Sequence, residues 1–81
     1  MDKRERIKKW FRMLDKRHKN SVEIELSGRY NVTILTVRNM WIYNGKVSEH
    51  LLDDVLEVLK KHSDKQDAEH LREKQLLIDA I

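Results

Sequence analysis

Apolar positions near the N-terminus recur at helical spacing. Ile7, Trp10, Phe11 and Leu14 form one stripe, which His18 extends. Lys3, Arg4, Arg6, Lys8, Lys9, Arg12, Lys16 and Arg17 surround it, and Asp2 with Glu5 resembles a capping box. The pattern predicts a helix over 3–18, ended by Asn20 and Ser21. SVEIELS then alternates, with Val22, Ile24 and Leu26 to one side and Glu23 and Glu25 to the other. That is the period of a half-buried strand.

Residues 31–45, NVTILTVRNMWIYNG, carry a single charge, Arg38. Taken as two strands, Tyr30–Val37 and Met40–Tyr43 with a hairpin turn at Arg38-Asn39, they are apolar on both faces. Ser27-Gly28-Arg29 reads as the preceding turn. Ser48 is a candidate N-cap, with Val47 and Leu52 placed as a hydrophobic staple. Leu51, Leu52, Val55, Val58 and Leu59 then predict a helix ending near His62. Ser63 and Gln66 suggest a second capping box, opening a last helix over 64–79. The continuity of these two helices stays open at this point.

The predicted order is αβββαα. It implies one α+β domain over residues 1–81, a three-stranded antiparallel meander with helices packed on it. The expected core is Trp10, Phe11, Leu14, Ile24, Ile34, Ile42, Leu52, Val55 and Leu59. The doubly apolar sheet needs a second cover. The candidates are the C-terminal helix, a second copy of the chain, or another protein. Leu76 and Leu77 point away from the thin stripe of Ala68, Leu71 and Ile78, so that helix end also needs more than one neighbour.

Composition narrows the picture. Eighty-one residues supply a small core, and with no cysteine there is no disulfide or thiolate metal site. The opening MDKRERIKKW lacks the apolar region of a signal peptide, and no apolar run approaches a membrane span. A cytoplasmic location with no membrane partner is the expectation. The net charge of +3 hides an asymmetry: residues 1–20 carry nine Lys/Arg against three Asp/Glu, whereas residues 48–81 carry five against nine. A basic head suits nucleic acid, an acidic protein surface or the chain's own acidic tail.

Little points to chemistry. His18, His50, His62 and His70 form no metal-ligand spacing, and His70 beside Glu69 and Glu73 is an ordinary helix-surface arrangement. Asp53, Asp54 and Glu57 lie on the polar face of their helix. No GxSxG, P-loop or glycine-rich phosphate cradle occurs. The chain is therefore read as a non-enzyme with no cofactor, metal or small-molecule substrate. The element order αβββα is similar to that of double-stranded-RNA-binding domains, which open the helix after the sheet with lysines where this chain has SEHLLDD. The full order and length also resemble some small phage-encoded anti-CRISPR inhibitors, in layout alone.

The expected function is that of a small interaction or regulatory protein, a homodimer or a binder of another protein. Its candidate surface is the second sheet face plus the C-terminal end: Trp41, Tyr43, Leu76, Leu77 and Ile81. The alternative is nucleic-acid binding through Lys8, Lys9, Arg12, Lys16 and Arg17 on the basic first helix. Placement separates the two. Basic residues gathered with Arg29 and Arg38 favour nucleic acid. Basic residues paired with Asp53, Asp54, Glu57 and Glu73 favour assembly.

Overall fold

Asp15 divides what reads as one N-terminal helix into two. The computed structural model describes residues 2–79, and every element among them is helical. Helix α1 spans Lys3–Met13, and Asp2 caps it, its side chain accepting from the Arg4 amide at 3.4 Å. Leu14 and Asp15 are extended. The Asp15 carboxylate then accepts from the His18 amide at 2.9 Å and starts α2, Lys16–Tyr30. A carboxylate at the first turn also favours the positive end of the helix dipole.

Helix α2 runs through both features taken for breaks. Ser21 donates its hydroxyl to the Arg17 carbonyl one turn back, which meets the side chain's polar need without leaving the helix. Gly28 sits inside the helix in open space. The stop comes at Asn31, in the left-handed region at φ 54°, where asparagine is tolerated. Its amide and that of Val32 both reach the Ser27 carbonyl, and the Ser27 hydroxyl donates to the Val32 carbonyl.

The uncharged stretch is a third helical element and not a hairpin. Thr33 opens it, its hydroxyl oxygen accepting from the Thr36 amide at 3.1 Å. A π-helical segment, Thr36–Tyr43, follows. At its end the Asn44 amide reaches back five residues to the Asn39 carbonyl, at 3.0 Å. Gly45, at φ +63°, turns the chain away. A 3-10 turn, Glu49–Leu51, leads into α3, one unbroken helix over Leu52–Asp79 that passes straight through Ser63.

The α+β expectation is therefore wrong, and both comparisons of element order fall with the sheet. Alternation at residues 22–26 misled because a helix also separates these side chains. Val22 and Leu26 are one turn apart and fully buried, while Ile24 is 53% exposed. The apparent two-sided strands are a short helix with Val37 and Ile42 buried and Leu35, Met40 and Tyr43 exposed. Ile34, expected in the core, is also exposed.

α1 and α2 both pack on α3, and the π segment closes against α1 and α2. The core joins Ile7, Phe11 and Leu14 of α1 and its end to Val22 and Leu26, to Val37 and Ile42, and to Val47, Leu52, Val55, Val58 and Leu59. Each large apolar side chain buried here contributes about 1.5–3 kcal/mol relative to exposure. Trp10 and Trp41 are partly buried against this cluster. The last turns of α3 extend past the body, so the molecule measures 49 × 27 × 17 Å. Among the described residues no helix is long and apolar enough to cross a membrane.

Candidate nucleic-acid interface

The helix break at Asp15 reorganises the basic residues. With α2 starting there, Lys16, Lys19, Asn20 and Glu23 share one face at helical spacing. That face, together with Phe11 of α1 and Arg38 and Tyr43 of the π segment, lines a cleft of about 680 Å³ that Arg17 also borders. Among the described residues Glu23 is the only carboxylate lining the cleft, and Arg38 holds it in a fork: Nε to Oε1 at 3.0 Å, Nη2 to Oε2 at 2.6 Å. Nζ of Lys19 stands 5.6 Å from the centre of the Phe11 ring, a cation–π contact.

Tyr43 packs edge-on against the buried Phe11, ring centres 6.2 Å apart and planes at 88°. It stays 44% exposed and lines a second recess on its other side, with Arg4, Glu5, Lys8 and Gly45. Arg4 is committed to structure there, donating to the Gly45 carbonyl at 2.9 Å and the Val47 carbonyl at 3.3 Å. Lys8 and Glu5 continue into a third recess with Lys9 and Arg12. The second recess therefore shares Tyr43 with the cleft and Glu5 and Lys8 with the third.

Ion pairs sort the cations. Lys3 pairs with Asp53 at 2.7 Å, Arg17 with Glu69, Arg29 with Glu25 at 3.2 Å and Lys61 with Glu25 at 2.7 Å. Among the described residues, Lys8, Lys9, Arg12, Lys16 and Lys19 have no carboxylate within ion-pair distance. Of the five basic candidates, four thus stand without an ion pair, Lys8 among them half-buried, and Arg17 pairs with Glu69 of α3. Arg38 joins Lys16 and Arg17 in the cleft. Arg29 does not, lying instead in a recess with Glu57, Lys60 and Asp64.

A polar cluster opposite ties the α1–α2 corner to α3. His18 is 3% exposed, with Nδ1 2.8 Å from Asp15 Oδ1 and Nε2 3.2 Å from Glu69 Oε2. Gln66 accepts from the Asp15 amide at 2.7 Å and donates to the Met13 carbonyl at 3.1 Å. The His18 hydrogen bonds, from backbone amide first and ring second, hold the Asp15 carboxyl below its ordinary value. Further along, Glu25 meets Lys61 and His62. Burial pushes its carboxyl up, but those hydrogen bonds and charges prevail and hold it low. Among the described residues no group of His, Asp and Glu has metal-binding geometry.

The expected apolar interaction surface is not brought together. Trp41 is partly buried, edge-on to Tyr30 at 5.6 Å, while Tyr43 belongs to the basic cleft. Leu76 and Leu77 are exposed at the far end of α3, and Ile81 lies outside the described residues. Lys19, Asn20, Arg38 and Tyr43 were missed as one site. The signal available in the sequence was Asp15 as an N-cap, which fixes the facing of everything after it. Comparison with family models, curated proteins and solved structures finds no match.

Proposed function

We propose that the protein binds nucleic acid through the adjoining basic recesses of α1, the start of α2 and the π segment. One observation carries this: Lys8, Lys9, Arg12, Lys16 and Lys19 stand unpaired along connected concave surfaces, while the other lysines and arginines of the α1–α2 body pair with carboxylates or backbone, apart from Arg6. Cations free of internal partners are available to neutralise phosphates. Titration of labelled DNA and RNA across salt, read by fluorescence anisotropy, tests it. With four phosphates engaged, affinity for a single strand falls roughly fifty-fold between 50 and 200 mM salt. Lys8→Ala, Lys9→Ala and Arg12→Ala together remove most of that dependence. No binding at low salt removes the proposal.

A second reading is favoured by a different surface. Leu71, Leu76, Leu77 and Ile78 are each 60–69% exposed on the end of α3. Large apolar side chains exposed all round a helix end suit docking to another protein or to a second copy of the chain.

A further inference from the structure

We propose that the nucleic acid taken by this surface is single-stranded, with a base seated on Tyr43 and the flanking phosphates held by Lys8 on one side and by Lys16 and Lys19 on the other, an inference that rests on the nucleic-acid function proposed above. Among the described residues, Tyr43 is the one lining both the large cleft and the Arg4–Lys8 recess. Its ring is nearly half exposed and held upright by Phe11, which is itself buried. An aromatic side chain placed between cationic recesses is the arrangement that single-strand binders use: a stacking platform for a base and charges tracking the backbone.

A duplex fits this surface less well. Its bases are stacked on one another and offer no free face to Tyr43. The unpaired lysines border recesses, and the cleft itself is floored by Phe11 and the Glu23–Arg38 pair, so backbone phosphates must descend to meet them. A flexible single strand does that. Arg38 spends its fork on Glu23, so the cleft's attraction comes from Lys16, Lys19 and part of Arg17, while Asn20 supplies an amide able to bond a base edge or a phosphate. Glu5, beside Lys8 in the outer recesses, opposes the phosphate path and sets its weak end.

Short labelled oligo-dT, oligo-U and a mixed-sequence duplex, titrated with the whole protein at fixed salt, test the inference. Both single strands bind more tightly than the duplex. Tyr43→Ala weakens single-strand binding roughly tenfold or more, whereas Tyr43→Phe and Tyr43→Trp retain it, because any flat ring stacks. Lys16→Gln with Lys19→Gln, of which Lys19 also leaves its place over the Phe11 ring, weaken single-strand binding and flatten its salt dependence, with thermal melts of the variant checking that the fold is kept. Equal affinity for duplex and single strand, with Tyr43→Ala unchanged, overturns the single-strand assignment and leaves the nucleic-acid function standing. Absence of binding to all three probes at low salt overturns both.

Discussion

Arg38 grips Glu23 with two parallel hydrogen bonds, and the two residues differ sharply in exposure. The Glu23 side chain is 3% exposed, while Arg38 keeps 44% of its side chain in water. The carboxylate has left solvent and the guanidinium covers it like a lid. This pair fastens the π segment to α2 and so holds Tyr43 over the cleft. Removing the lid strands a buried charge, which costs far more than the pair gains over an apolar substitute. Arg38→Ala is expected to cause a fall in melting temperature, because the buried Glu23 carboxylate then has no partner. Glu23→Met combined with Arg38→Met recovers most of it. Thermal melts of the two variants decide the matter: an unchanged melting temperature for Arg38→Ala would mean that Glu23 stays hydrated without its partner.

Acid should loosen the molecule through Asp15 and Glu25. Both carboxyls lie below their ordinary values of 3.8 and 4.5 in the folded chain. A group whose pKa is depressed by folding stabilises the fold above its unfolded value, and that contribution disappears as pH falls through the folded value. The contribution is therefore complete above roughly pH 5 and declines steadily below it. Urea midpoints measured from pH 6 to pH 3 should fall for the natural chain. The slope should be shallower for Asp15→Asn with Glu25→Gln. Parallel slopes would show that other carboxylates govern acid unfolding.

How far the sequence carries can be judged at the same residues. The helical stripes of Ile7, Trp10, Phe11 and Leu14 and of Leu51, Leu52, Val55, Val58 and Leu59 were legible; seven of these nine are buried, and Trp10 and Leu51 are partly buried. Each lies in a segment whose periodicity is long enough to exclude a strand. Residues 22–26 are too short for that. Their five-residue alternation fits a strand and a helix alike until Glu23 is known to be buried, and only Arg38, fifteen residues on, makes that burial tolerable. Local pattern does not contain such a partner. The β-branched run at 32–37 failed for a related reason. Strand preference reflects a pleated surface to pack on, and with SVEIELS committed to α2 no such surface remains. Lys8, Lys9, Arg12, Lys16 and Arg17 were visible as charges, but bringing Lys16 and Arg17 to the cleft that Tyr43 lines depends on the turn at Asp15.

Gln66 gives the corner a measurable signature. Its one amide group serves both sides of the α1–α2 turn, accepting from Asp15 and donating to the Met13 carbonyl, and the residue is buried. Gln66→Ala leaves a backbone donor and acceptor without these partners, at about 1–3 kcal/mol. Gln66→Glu keeps the acceptor and loses the donor, so it should cost less at Asp15 than at Met13. Amide hydrogen exchange reads this residue by residue. Protection of the Asp15 amide should collapse in Gln66→Ala and survive in Gln66→Glu. Loss of protection spread evenly over α1 and α2 in Gln66→Ala would instead mark a general weakening of the fold.

The end of α3 should separate stability from association. Val55, His62, Glu69 and Leu76 follow one another at seven-residue intervals along one side of the helix. The first three meet the body, in the core, against Glu25 and against His18 in turn. Leu76 continues the same line beyond the α1–α2 corner, where it is exposed, as is Leu77 beside it. A packing face that outlasts its packing partner has apolar area to offer something else. Exposed substitutions away from internal contacts change stability by about 0.5 kcal/mol or less. Leu76→Lys with Leu77→Lys should therefore leave the melting temperature almost unmoved. In sedimentation velocity over a concentration series, the natural chain should associate and this double variant should remain monomeric. A natural chain that sediments as a monomer throughout would exclude a second copy as the occupant of this face, and a double variant that melts well below it would show that the leucines belong to the fold.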